Sequence, residues 1–231
     1  YFSALPMPTM TDPVLSPTLV SEESRGRGRK VSISREDIIT AALSLIGPNR
    51  SVSTLSLREV AREAGVAPNS FYRHFRDMDE LAIALIDLAG SSLRKIIGDA
   101  RHRATSERSV VQSSVDAFME QLDADDKLLH MLLREGTAGS EAFKQAVERQ
   151  LSFFEDELQA DLVRLAGSNQ TGLFEPALTA KAMTRLVFAI GATAMDLPQD
   201  QRATVKKELA IMLRMIVVGT QTMASSRTVR R

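Results

Sequence analysis

The chain is expected to be all-α, a three-helix helix-turn-helix head followed by a larger helical domain. Three observations carry that expectation. Apolar residues recur at helical spacing from Ser34 almost to the end, and no alternating strand pattern survives inspection. Pro and Gly breaks bound segments of helical length. Finally, the stretch Ser56–Leu81, SLREVAREAGVAPNSFYRHFRDMDEL, holds two short helix patterns joined by a Gly-containing turn. That is the arrangement that places a second, recognition helix in the DNA major groove.

The elements follow in order. Residues 1–32 are rich in Pro, Ser and Thr and end in Arg25-Gly-Arg-Gly-Arg-Lys30, which reads as a disordered tail with a basic arm. The head spans 33–79. Its first helix starts at the cap Ser34, buries Ile38, Ala42, Leu45 and Ile46, and stops at Gly47-Pro48. Ser56 caps the second helix, with Glu59 completing a capping box, Leu57, Val60, Ala61 and Ala64 facing inward, and Gly65 ending it. Pro68 suits the first turn of the third helix, where its missing N–H costs nothing. Phe71 and Phe75, four apart, point inward. Asp77 with Glu80 is expected to form another capping box, opening a fourth helix to about Arg101. Five more helices are expected at roughly 107–123, 126–135, 140–166, 178–196 and 200–223. The larger domain is therefore placed at 80–224, with 225–231 as a tail.

Composition narrows the function classes. With 44% apolar and 25% charged residues the chain is an ordinary globular one, and the absence of cysteine excludes disulfide and thiolate chemistry. The first 20 residues lack a charged start followed by an apolar core, and runs such as Leu186–Met195 fall short of the ~20 residues of a membrane span. A cytoplasmic protein without membrane contact, associated with the nucleoid when on DNA, is expected. The three histidines, His74, His102 and His130, fall on different helices, and no phosphate-binding glycine loop, nucleophile elbow or HExxH occurs. Neither an enzyme nor a metal or cofactor protein is expected. The zero net charge hides an asymmetry: Arg25–Arg76 holds ten Lys/Arg against four Asp/Glu, whereas Asp77–Arg231 holds 19 against 22. A basic front suits a protein that meets a polyanion with its N-terminal part, the bland alternative being a solvated basic face.

On the head, Pro68, Asn69 and Ser70 stand at the start of the recognition helix, where short hydrogen-bonding side chains reach base edges. Tyr72, Arg73 and His74 are placed to donate to phosphates, Thr54 and Ser56 to clamp the opposite strand. Arg27, Arg29 and Lys30 either enter an adjacent minor groove or form a basic tail with no defined target. In the last two helices Ala189, Ala192, Met195, Met212, Met215 and Gly219 are small or soft, which suits a helix-to-helix dimer seam, with an intrachain core as the alternative.

Leu57-Arg-Glu-Val-Ala-Arg-Glu-Ala-Gly-Val-Ala-Pro-Asn-Ser-Phe-Tyr-Arg-His-Phe75 resembles the N-terminal domain of TetR-family repressors. The resemblance implies a TetR-like fold, a homodimer on double-stranded operator DNA, and a C-terminal domain that dimerises and binds an apolar small-molecule effector. The family often has a Lys before the fourth helix, contacting phosphate; this chain has Met78, leaving Arg73 or Arg76 to supply the charge. With Leu132-Leu-Arg-Glu135, Ala142-Phe-Lys-Gln-Ala-Val147 and Leu213-Arg-Met-Ile216, the head is also similar to FabR-type repressors of unsaturated fatty-acid biosynthesis, in which an apolar residue likewise replaces that Lys. That narrower resemblance implies a long-chain acyl thioester as effector, on coenzyme A or acyl carrier protein. Phe118, Leu122, Leu132, Phe143, Phe154, Met183 and Phe188 are candidates for its tunnel or for plain core. Arg134 is a candidate for its thioester or phosphate, or for an ion pair with Glu135 or another carboxylate. The alternatives are a TetR-type regulator of efflux or catabolic genes that senses another apolar compound, and a DNA-binding protein without ligand.

Overall fold

A computed structural model describes residues 33–47, 50–103, 107–124 and 126–229, and within them every regular element is helical. The helices are α1 (Arg35–Leu45), α2 (Leu57–Glu63), α3 (Pro68–Phe71), α4 (Met78–His102), α5 (Glu107–Asp123), α6 (Lys127–Ala138), α7 (Glu141–Asn169), α8 (Pro176–Ala194) and α9 (Gln199–Val229), with a 3-10 turn at Val52–Thr54. The tail 1–32, with its arm, lies outside the described residues.

The local signals explain the head. Ser34 and Asp37 exchange their capping-box bonds, as do Ser56 and Glu59. Gly65 takes a left-handed φ of 69°, and the Val66 N–H closes onto the Ala61 carbonyl, which ends α2. Ile38, Val60, Phe71, Phe75, Leu81 and Leu85 are fully buried. Leu45 is only half-buried, and Ala41 takes the inward place beside Ala42.

Two boundary expectations change. Asp77 caps α4 by accepting the Glu80 N–H, but the Glu80 carboxylate reaches past Asp77 to the Arg76 N–H (2.8 Å) and guanidinium (3.2 Å), so no reciprocal box forms. The stretch 225–231 is not a tail throughout, because α9 continues to Val229; Ser225 and Ser226 bond back to carbonyls one turn earlier instead of capping.

In the larger domain, α4 lies along α7, and a polar ladder runs down this otherwise apolar seam. Gln150 bridges Asp87 (2.6 Å) and Arg94, Glu157 pairs with Arg94 (3.3 Å) and Arg101 (3.0 Å), and Asp161 pairs with Arg101 (2.8 Å) and Arg164 (3.0 Å). At the far end, the Arg202 guanidinium donates to the carbonyls of Leu122, Met195 and Leu197, joining the ends of α5 and α8 to α9. Gln199–Ser226 is long and apolar enough to cross a bilayer by composition, which the sequence reading missed; here it packs on α5 and α8, with 22% of the apolar window buried.

Candidate nucleic-acid interface and effector site

Phe71 and Phe75 stack 5.6 Å apart beneath α3, and the Arg35 guanidinium sits 4.5 Å over the Phe75 ring. The two rings anchor one helical turn and the turn after it, which together present the outward residues. Pro68, Asn69 and Arg73 are exposed, Ser70 and His74 half-exposed, and Tyr72 keeps its ring edge on Phe71 while 60% of it faces solvent. All six α3-region candidates are thus at least partly accessible to solvent. Arg27, Arg29 and Lys30 lie outside the described residues.

The hydroxyls of Thr54 and Ser56 are already engaged. Thr54 donates to the Ser51 carbonyl and accepts from Arg50, while Ser56 donates to Glu59 and accepts its N–H. Arg50 holds this corner by its pair with Glu59 (3.1 Å). The Ser56 hydroxyl and N–H, helped by Arg50, keep the Glu59 carboxyl below the usual range. Met78, at the first position of α4, packs against the core, and Arg76 is paired with Glu80.

The effector candidates divide among three environments. A small, mainly apolar pocket of about 40 Å³ is lined by Phe154, Met183 and Phe188, with Leu213, Thr184 and the buried Arg101. An open groove of about 790 Å³ between α6, α7 and α8 is lined by Leu132, Arg134 and Phe188, and by Lys144 and Arg185. Phe188 lines both spaces, and its ring is 5.6 Å from that of Phe118 and 5.3 Å from that of Phe154. Phe118, Leu122 and Phe143 line neither space and are core. Phe118 instead fills the site opposite Gly191, where a Cβ would come within 2.5 Å of its ring.

Sequence reasoning missed the charged groups around these spaces. Arg185 pairs with Glu148 and, at 2.6 Å, with Glu155. Burial alone would raise the Asp161 carboxyl, but hydrogen bonds from Arg101 and Arg164 outweigh it and hold it below the usual range. The available signal was the seven-residue spacing of Arg94 and Arg101 on α4 against Gln150 and Glu157 on α7.

The seam candidates separate by exposure. Met215 is 66% exposed and Ala189 exposed, whereas Ala192, Met195, Met212 and Gly219 are half-buried. Ile211, Met215 and Val218 form an exposed apolar stripe on α9, and Leu178 is exposed on α8.

Residues 38–85 match the family model described as bacterial regulatory proteins, tetR family. Solved structures share the fold at low identity. A putative TetR-family transcriptional regulator from Rhodococcus sp. is 20% identical with a TM-score of 0.64, covering 79% of this chain and 97% of its own. FadR from Bacillus subtilis, in complex with stearoyl-CoA, is 16% identical with a TM-score of 0.63, covering 80% and 99%. AibR, in complex with isovaleryl coenzyme A and operator DNA, is 11% identical with a TM-score of 0.57, covering 78% and 97%.

Proposed function

We propose that this chain, a DNA-binding transcriptional regulator whose N-terminal domain is that of the TetR family, is a homodimeric repressor that answers to long-chain acyl-CoA or acyl-ACP and controls unsaturated fatty-acid biosynthesis. Two heads bind successive major grooves of a palindromic operator, ~34–36 Å apart. Asn69 and Ser70 read base edges from α3, while Tyr72, Arg73 and His74 hold phosphates; Arg73 supplies the charge that Met78 does not. Thr54 and Ser56 donate to the backbone of the opposite strand once their hydroxyls turn from the Ser51 carbonyl and from Glu59, and Arg27, Arg29 and Lys30 add counterion release.

The single observation that carries the effector reading is that Phe188 lines both the small pocket and the groove. A cavity of about 40 Å³ holds only a few waters, far too little for a long acyl chain. The groove beside it is large and carries Arg134 and Lys144, suited to a thioester carrier's phosphates, while Arg185 in the same lining is committed to Glu148 and Glu155. Swinging Phe188 aside joins the two, so the chain tail enters past Phe154 and Met183 while its polar end stays in the groove.

The exposed stripe of Ile211, Met215 and Val218 on α9, with the exposed Leu178 of α8, is the dimer seam. A surface this apolar is covered in the working protein. Ligand then biases the separation of the two heads by a population shift. The deciding experiment is affinity for a duplex selected by the protein from a random library, measured with stearoyl-CoA and with oleoyl-CoA. The unsaturated chain is expected to favour DNA binding and the saturated one to oppose it. Retained DNA binding with no response to either would move the effector to another class of apolar compound, as in a regulator of efflux or catabolic genes.

A further inference from the structure

Glu135, on the last turn of α6, is almost completely buried, at 1% exposure. Its Oε1 accepts the Ser51 hydroxyl at 2.7 Å and the Val52 N–H at 2.9 Å, across more than 80 residues of sequence. Those two residues open the 3-10 turn that leads directly into α2 of the DNA-reading head. The other oxygen, Oε2, is buried with no hydrogen-bond partner among the described residues. It sits against Gly139, where a Cβ would come within 2.8 Å of Oε2 and 2.5 Å of the Glu135 carbonyl. The neighbours of Glu135 on the helix, Arg134, Gly136, Thr137 and Ala138, line the groove of about 790 Å³.

The same turn of α6 therefore faces the groove on one side and the head on the other. We infer that Glu135 is the positioning residue that carries a change in the groove to the DNA-reading head. The physical reason is the half-satisfied carboxylate. A buried carboxylate oxygen without a donor holds its site less firmly than a fully bonded one, so a small rotation of this turn releases Ser51 and Val52. The 3-10 turn then loses its anchor, and with it the orientation of α2 and α3. The inference rests on the head reading DNA, and does not depend on the effector being an acyl thioester.

The test fills the groove without a diffusible ligand. The chain has no cysteine, so Thr137→Cys gives one thiol, on an exposed residue lining the groove, for reaction with N-dodecylmaleimide. Affinity for the selected duplex is measured before and after alkylation, with Glu135 intact, with Glu135→Gln and with Glu135→Ala. Alkylation is expected to change the Kd at least fivefold with Glu135, to keep most of that effect with Gln, whose carbonyl still accepts both bonds, and to change it less than twofold with Ala. Amide exchange at Val52 reads the same contact without DNA, and alkylation is expected to accelerate it at least tenfold. An unchanged Kd and exchange rate on alkylation, or an equal response in the Ala variant, overturns the inference. Should Glu135→Ala not fold, Ser51→Ala removes one of the two donors and is expected to weaken the response. Failure of stearoyl-CoA and oleoyl-CoA to act, with the alkylation response intact, would count against the acyl effector alone.

Discussion

Replacing Gly90 by Ala sets two well-characterised effects against each other on the helix that carries the head. Gly in a helix interior costs about 1 kcal/mol relative to Ala, so propensity alone predicts a more stable protein. The local geometry opposes it. A Cβ on Gly90 would lie 2.2 Å from Gln150 Oε1 and 2.5 Å from its Cδ and Cγ. Gln150 is 4% exposed and held at both ends, donating to Asp87 at 2.6 Å and accepting from Arg94. To admit the methyl group the amide must leave, and both bonds to charged partners go with it. Such bonds contribute about 1.5–3 kcal/mol each, and the partly exposed Asp87 and Arg94 put these at the lower end. The net expectation is a loss of about 2–3 kcal/mol, read as a fall in the urea midpoint by far-UV circular dichroism with an unchanged m-value. In a Gln150→Ala background the obstacle is absent, and Gly90→Ala should become neutral or stabilising, a coupling of about 2 kcal/mol or more. Gly90→Ala as stable as the parent would refute the reasoning, because Gln150 would then be yielding at no cost. Since α4 leads directly from the head, the reseated helix should also weaken operator binding.

The remaining predictions concern DNA, the seam and acid stability. Asn69→Ala should relax base preference in a selection from random duplexes, and an unchanged consensus would remove it from the base-reading set. Arg73→Ala should weaken binding to all sequences alike and lower the salt slope by about one unit, as expected for one lost phosphate cation. Met215→Lys, placed at the centre of the exposed α9 stripe, should yield monomers by analytical ultracentrifugation, and a retained dimer would move the seam elsewhere. Asp161→Asn should cost about 1.5–3 kcal/mol at pH 7, where Arg101 donates to the wild-type carboxylate. Because the folded carboxyl is depressed, its stabilisation is present above the unfolded value of about 3.9 and is lost as pH falls through the folded value. The gap between variant and parent should therefore narrow in urea titrations below about pH 4, and a gap constant down to pH 2 would rule this pair out as its source.

What was legible in the chain depended on whether the cause was local. Ser34, Ser56, Gly65 and Pro68 act within a turn of their own positions, so helix starts and stops in the head followed from residue type and spacing. Phe71 and Phe75 were legible because a pair four apart across α3 and the turn after it points to one side, which is buried. Glu80 shows the limit: residue type announced a cap, but its carboxylate had two backbone donors in reach and took Arg76, where the guanidinium adds a second bond. The larger domain was harder because its partners are distant in sequence. An apolar residue on α5 to α8 reads alike whether it faces another helix, as Phe118 and Phe143 do, or an empty space, as Phe154 and Met183 do. The small residues of α8 divide in the same way: Gly191 admits the ring of Phe118, while Ala189, two positions earlier, faces outward. Glu135 was least legible of all. As a sequence feature it was a possible counter-ion to Arg134, and only the fold brings Ser51 and Val52 to it. Spacing within a helix reveals which side is buried, whereas the coupling between domains depends on contacts made across tens of residues.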